Sequence, residues 1–430
     1  MKHVGKVSKD NLANANKREA YEQNLEKAFE LLTEACTKDQ SYSKAFFLRG
    51  KCYYHMGDFQ RALYDFSVAI RTAQEKKEPK KELAEYYNYA GVQHYELGQL
   101  EEALAYYEKA VENDKTSGMY HYNKGLALSR FEHSVHKAIE SYTLALNHLE
   151  QPEYIYQARF NKGICLRRIG ELKESIVNLK KAVELQAGRA AALNNLGLSQ
   201  FENEEYEEAL ISYTKAIKIA DSSIHYNNRG LCNCHFEKLD EAKDDFDKAI
   251  ARDANDPVIY FNRGNVFLTE KNYVSAHEDY DQALKLDPHN PKLWHSKGLA
   301  FQNESEKHED SVELYYKAIE MYNRALELRP SFISAQFHLG IMYHKTSQYK
   351  ESLKCFSTVL EKIDNDKTVF MARGAVYADM GNHHLAIKDF KSAIALDELL
   401  IDGYFKLGMS KLATKLYYEA IADLKKAKEI

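Results

Sequence analysis

Apolar and small residues recur along most of the chain at offsets of three and four. Phe59, Ala62, Phe66 and Ala69 are one such set, with polar or charged residues between them. These offsets close on one face of an α-helix, not on one side of a strand. The same face returns as Leu100, Ala103, Tyr107 and Ala110, as Tyr206, Ala209, Tyr213 and Ala216, and as Tyr273, Ala276, Tyr280 and Ala283. A second helical stretch with a glycine near its middle precedes each set. Short links such as Gly57-Asp58-Phe59 and Gly98-Gln99-Leu100 join the two. The pattern predicts an all-α chain of paired antiparallel helices.

The central glycines set the period. Gly50, Gly91, Gly125, Gly163, Gly197, Gly230, Gly264, Gly298, Gly340, Gly374 and Gly408 are separated by 41, 34, 38, 34, 33, 34, 34, 42, 34 and 34 residues. With this glycine as position 8 of each copy, position 20 is Ala or Ser, position 24 is Phe, Tyr or Leu, and position 27 is usually Ala. Small residues at 8, 20 and 27 let two helices approach closely, and large side chains at 17 and 24 fill the space around them.

This pattern resembles the tetratricopeptide repeat (TPR), a helix–turn–helix unit of 34 residues. "PVIYFNRGNVFLTEKNYVSAHEDYDQALKLDP", ending at Pro288, carries the resemblance most clearly, and the next copy has Trp294, the only tryptophan, at position 4. The resemblance covers residues 43–430 as eleven copies. A degenerate copy over 20–42, containing "LEKAFELLTEACTKD", and a tail over 1–19 precede them. It implies an α-solenoid, a right-handed superhelix of antiparallel helix pairs, with the first helix of each pair (A) lining the concave side and the second (B) mostly outside. Repeat 8 departs most. Its second helix fits two frames, Ser311-Tyr315-Ala318 or Ala318-Tyr322-Ala325, which predicts one overlong, protruding helix over 309–328.

Composition narrows the class. Only 6 prolines among 430 residues, with 31 tyrosines, suit a helical chain rich in helix-to-helix contact. A formal net charge of −5 gives no general drive toward nucleic acid or anionic membrane. We find no apolar run near the ~18 residues of a membrane span and no signal-peptide core at the start. Six cysteines are few for this length and predict free thiols in a reducing compartment. Cys232 and Cys234 raise the question of a metal. Cys232 occupies position 10, as Cys52 and Cys165 do, where small packing residues recur, and the two thiols of the pair point roughly 200° apart on a helix. No metal or cofactor is expected.

Position 7 is often basic and position 23 is Asp in five copies. In an antiparallel hairpin the two lie at one height, which predicts the ion pairs Arg49–Asp65, Arg229–Asp245, Arg263–Asp279 and Arg373–Asp389 and leaves Asp423 without a partner at Leu407. The alternative is a basic stripe for an acidic ligand.

Position 6 reads Asn123, Asn161, Asn195, Asn228 and Asn262 in consecutive copies, and Asn265 follows at position 9. The row resembles the asparagine ladder of the TPR arm of O-linked N-acetylglucosamine transferases, which clasps an extended peptide. An amide offers a donor and an acceptor together, as a peptide main chain requires. Repeats about 10 Å apart would spread the row over about 40 Å, roughly 12 extended residues at ~3.3 Å each. Asparagine at this position is also a family habit, bonding its own neighbours, so both readings stand. A chaperone-tail clamp is not completed: repeat 7 has Asn265 but Phe261 at position 5, and repeat 8 has Lys292 but Ser296 at position 6.

We see no phosphate loop, zinc-binding HExxH or nucleophile elbow, which argues against an enzyme. The expected function is a protein–protein interaction scaffold that braces partner chains in a larger assembly. The alternative is an adaptor that takes extended peptides in a transport or modification complex. The expected partners are other proteins: a peptide or helix in the concave groove, and a chain covering the last helix, since no polar capping helix follows it. The expected location is cytoplasmic, with ciliary and cytoskeletal assemblies as the analogy.

Overall fold

A computed structural model describes residues 23–307 and 312–430. The tail expected over 1–19, the first residues of the degenerate copy and the start of the overlong helix near 309 lie outside the described residues. The described residues form helices and short links with no strand, in two compact units that divide after Asp221.

In the first unit, α1 (23–38) is followed by five hairpins: α2 (Ser43–His55) with α3 (Phe59–Glu75), α4 (Lys80–Glu96) with α5 (Leu100–Asn113), α6 (Gly118–Leu128) with α7 (Val135–His148), α8 (Pro152–Arg168) with α9 (Leu172–Leu185), and α10 (Ala190–Glu202) with α11 (Tyr206–Ile219). The second unit holds six: α12 (Ser223–His235) with α13 (Leu239–Arg252), α14 (Pro257–Thr269) with α15 (Tyr273–Leu286), α16 (Pro291–Ser305) with α17 (Val312–Leu328), α18 (Ile333–Lys345) with α19 (Tyr349–Lys362), α20 (Lys367–Asp379) with α21 (His383–Leu396), and α22 (Ile401–Ala413) with α23 (Tyr417–Glu429). Within each unit, the second helix of a hairpin packs on the first helix of the next.

Local chemistry sets the boundaries. Pro152, Pro257 and Pro291 open α8, α14 and α16, where the missing N–H costs nothing. Asp58, Asp256, Asn272, Asn290 and Asp366 accept backbone N–H bonds at helix starts. Position 15 of nine hairpins takes a left-handed backbone. It is glycine at 57, 98, 170 and 381, but Glu204, Glu237, Lys271, Ser347 and Lys415 adopt φ between 56° and 64°.

The hairpin core follows the predicted face. The position-24 ring or Leu lies against the position-8 glycine in every copy; a Cβ on Gly374 would sit 2.6 Å from Phe390 Cε1, and one on Gly298 2.7 Å from Tyr322 Cε1. The second contact selects the later frame for repeat 8. There α17 buries Ala318, Ile319, Met321, Tyr322 and Ala325, while Val312 and Tyr316 near its start are exposed. Where position 20 is serine, its hydroxyl donates to the glycine carbonyl across the hairpin: Ser175 to Gly163 at 2.8 Å and Ser352 to Gly340 at 2.7 Å.

Position 10 carries one misfit. Gln93 in α4 is fully buried, and neither side-chain amide atom has a hydrogen-bond partner. An unmet buried amide costs about 1–3 kcal/mol. Gln93→Met, close in volume, is therefore expected to stabilise the first unit by about 1–2 kcal/mol. Urea unfolding followed by helical circular dichroism measures it, and a loss of stability would show that the amide is satisfied in solution.

Candidate peptide-binding face

The four predicted ion pairs form. Arg49 Nε reaches Asp65 Oδ2 at 2.7 Å, Arg229 Nη2 reaches Asp245 Oδ1 at 2.5 Å, Arg263 Nη2 reaches Asp279 Oδ1 at 2.6 Å, and Arg373 Nε reaches Asp389 Oδ2 at 2.7 Å. Each guanidinium engages both carboxylate oxygens, and the hydrogen bonds hold the arginines above their ordinary pKa. Position 7 also reaches back to position 25 of the preceding hairpin. Arg263 bonds Asp247, Lys297 bonds Asp281, Lys124 pairs with Glu108 at 3.2 Å, and Arg373 Nη1 donates to Ser357 Oγ at 3.4 Å. The arginines are thus committed within and between hairpins, not gathered as a stripe for an acidic ligand. Asp423 is a correction to the expected pattern: Lys411, at position 11, pairs with it at 2.6 Å and with Glu419 at 3.0 Å.

Cys232 is fully buried and its thiol is pushed up to about 12 by burial; Cys234, on another side of α12, is pushed up to about 11. Both stay protonated at neutral pH, which makes them poor metal ligands and nucleophiles. Among the described residues there is no group of three or more His, Cys, Asp or Glu placed to hold a metal ion.

The asparagine row divides between the units. In the first, Asn123 Nδ2 donates to Asn88 Oδ1 at 2.8 Å, Asn161 Nδ2 to the Tyr122 hydroxyl at 3.4 Å, and Asn195 Nδ2 to the Ala191 carbonyl one turn back at 2.9 Å. In the second, Asn262 Nδ2 donates to Asn227 Oδ1 at 2.9 Å, Asn228 Oδ1 accepts from Asn227 Nδ2 at 3.4 Å, and Asn265 Oδ1 accepts from the Tyr280 hydroxyl at 2.8 Å. A rule emerges that the spacing of the row does not reveal. The position-6 amide ties to position 5 of the preceding hairpin: Asn123 to Asn88, Asn161 to Tyr122, Asn262 to Asn227. Where position 5 is apolar, as at Phe160 before Asn195, the amide turns back onto its own helix.

These bonds use part of each amide. Asn262 retains its oxygen and one N–H, and Asn265 retains its NH₂ group. The two side chains line a cleft of about 610 Å³ in the second unit with Leu231, Cys234, Val266 and Thr269. Asn262 also lines a second cleft, about 230 Å³, with Phe261, Lys292 and Leu293. The result is a partly apolar trough with a donor and an acceptor at one wall. In the last hairpin Tyr418 and Ile421 of α23 and Phe405 and Met409 of α22 are exposed.

Tetratricopeptide repeat family models match residues 42–116, 156–188, 190–223, 257–290 and 368–398. Among curated proteins, the chain is 25% identical over 241 residues to an Hsp70-Hsp90 organizing protein of Triticum aestivum, covering 54% of this chain and 40% of that one. It is 24% identical over 357 residues to a TPR repeat-containing protein of Methanocaldococcus jannaschii, covering 78% and 53%. It is 22% identical over 271 residues to BBSome complex member BBS4 of Bos taurus, covering 63% and 44%. The chain spans about half the length of the curated relatives it matches, or less. Among solved structures, it is similar to YrrB, described as a TPR protein with an unusual peptide-binding site (22% identity, 46% of this chain and 96% of that one, TM-score 0.35). It is also similar to the APC/C hetero-tetramer Cut9-Hcn1 (13% identity, 92% and 95%, TM-score 0.48).

Proposed function

This chain is a tetratricopeptide repeat protein, and we propose that it is a non-enzymatic scaffold that holds partner chains by their main chain. TPR proteins serve as protein–protein interaction scaffolds. What supports the finer reading is the trough beside Asn262 and Asn265, where amide groups left over from internal bonding stand at the wall of a partly apolar cleft. Such groups match a peptide C=O and N–H without selecting side chains. The apolar lining supplies burial, at roughly 25 cal/mol per Å². In the first unit Asn123, Asn161 and Asn195 offer the same chemistry. Exposed Tyr418 and Ile421 give a second place for a partner chain, and the likeness to a BBSome member supports a ciliary assembly as its setting. No helix among the described residues is long and apolar enough to cross a membrane.

The test uses the full chain and an immobilised library of extended peptides that vary in side chains. Binding is expected across many sequences, lost when the peptide backbone is N-methylated, and weakened at least about tenfold, on the order of 1.4 kcal/mol, in Asn262→Ala/Asn265→Ala. Circular dichroism controls for folding, because Asn265 also bonds Tyr280. Undiminished binding by the variant would assign these asparagines to the packing between hairpins alone.

A further inference from the structure

One junction in the second unit places two imidazoles at the positions where Asn227 and Asn262 carry amides. Between the α16–α17 hairpin and α18, position 5 is His295 and position 6 is His338, with ring centroids 5.5 Å apart. Where α12 and α14 meet through Asn227 and Asn262, two imidazoles face each other here.

Both rings hydrogen-bond to uncharged partners. His338 Nδ1 lies 3.2 Å from Gln302 Oε1, which also accepts from the Tyr322 hydroxyl at 2.8 Å. An oxygen there requires the N–H on Nδ1, leaving Nε2 for a second proton. His295 Nε2 is 3.0 Å from Ser334 Oγ. Its ring packs on Phe332 at 4.9 Å, and His338 stacks with Tyr322 at 5.8 Å. We infer that this junction is a proton-sensitive joint, closed while His295 and His338 are neutral and loosened when either imidazole is protonated.

No carboxylate acts on either ring among the described residues, and the titratable rings in contact with each imidazole are the other imidazole and Tyr322. The cations nearby are Lys292, exposed on α16, and Arg329, over the Phe332 ring at 5.5 Å. Charges on the packed elements are committed elsewhere: Lys297 to Asp281 of α15, His277 of α15 to Glu304, Arg324 to Glu327 on α17, and His344 to Asp379 of α20. The helix residues beside the two imidazoles pack into apolar clusters, Leu293 and Trp294 with Phe261 and Leu284, and Phe337 with Phe356, Val369 and Ala372. Burial pushes His295 down to about 4 from 6.5, with the facing His338 adding to the shift, and burial lowers His338 as well.

The sign follows from proton counting. Between about 6.5 and about 4, the opened junction binds more protons than the closed one. Stability of the joint is therefore complete above pH 6.5 and drains as pH falls toward 4. A partner held across these hairpins would be released over the same interval.

Hydrogen exchange by mass spectrometry on the full chain, corrected for the intrinsic effect of pH, tests this at pH 7.5 and 5.0. Protection in α16 and α18 is expected to fall on the order of tenfold, while α12 and α14 of the same unit stay within about twofold. His295→Asn/His338→Asn, which recreates the amide pair of Asn227 and Asn262, is expected to abolish the selective fall. An equal loss in all four helices, or the same loss in the variant, would overturn the joint. Should the variant not fold, a histidine titration of the unmodified chain by NMR decides. Because burial lowers His277 as well, the resonances are assigned: His295 and His338 titrating well below the ordinary value of about 6.5 support the proposal, and either of them near that value would sink it.

Discussion

Asp389→Ala is expected to cost the second unit about 3 kcal/mol, far more than a surface ion pair is worth. Asp389 retains 4% of its side-chain exposure and Arg373 20%, and both carboxylate oxygens are taken by the guanidinium, at 2.7 and 2.8 Å. Removing the carboxylate strands a largely desolvated cation whose remaining contacts are Ser357 at 3.4 Å and the rings of Phe370 and Tyr377, at 5.9 and 6.0 Å. Breaking a buried pair from one side costs about 3–5 kcal/mol, and the partial exposure of Arg373 sets the expectation at the lower end. The double variant Arg373→Met/Asp389→Leu leaves no stranded charge and is expected to recover most of the loss. Denaturant unfolding followed by the fluorescence of Trp294, the only tryptophan and itself in the second unit, measures both. A double variant as unstable as the single would mean that the pair contributes directional bonding that apolar packing does not replace.

What the sequence makes legible here is what one hairpin does on its own. The position-8 glycine and the position-24 ring or leucine are sixteen residues apart in nine of the eleven copies, so the contact between them can be read from any one copy. Arg49 and Asp65 are legible for the same reason. The second bond from position 7, as from Arg263 to Asp247, depends on how one hairpin is rotated against the next. No spacing inside a copy carries that rotation, and only a comparison of position 7 with the preceding position 25 would have shown it. Lys411 illustrates the other limit, because a lysine one turn further along α22 reaches the same carboxylate as an arginine at position 7. The links were half legible. Four announce their left-handed residue with glycine, while Glu204, Glu237, Lys271, Ser347 and Lys415 take the conformation because the packed hairpin demands it, at roughly 1 kcal/mol each.

The candidate site divides in the same way. That position 6 is repeatedly asparagine can be read from the chain; what each amide bonds cannot, because its partner sits at position 5 of another hairpin. Once that partner is known, the row becomes first a register device and only then a set of leftover donors and acceptors. His295 and His338 become visible through the same relation. In the sequence they are two of many scattered histidines, and only the position-5 to position-6 contact places one ring against the other.

Phe246→Ala is expected to cost about 3–5 kcal/mol, as for a fully buried ring with nothing to refill its space. The more discriminating change is on the other side of the contact. In an exposed helix Gly→Ala gains about 1 kcal/mol, yet a Cβ on Gly230 would lie 2.8 Å from Phe246 Cε1 and 3.0 Å from Cζ. The ring is wholly enclosed, so it cannot swing aside without opening the α12–α13 hairpin, and Gly230→Ala is expected to lose about 1–3 kcal/mol instead. Combining the two removes the clash together with the ring. Gly230→Ala/Phe246→Ala should then be no less stable than Phe246→Ala alone, a departure from additivity of at least about 1 kcal/mol. Thermal and urea unfolding of the three variants provide the cycle. If Gly230→Ala alone proves stabilising, the hairpins are held by something other than the close seat of ring on glycine, and the periodic glycines would need a different physical account.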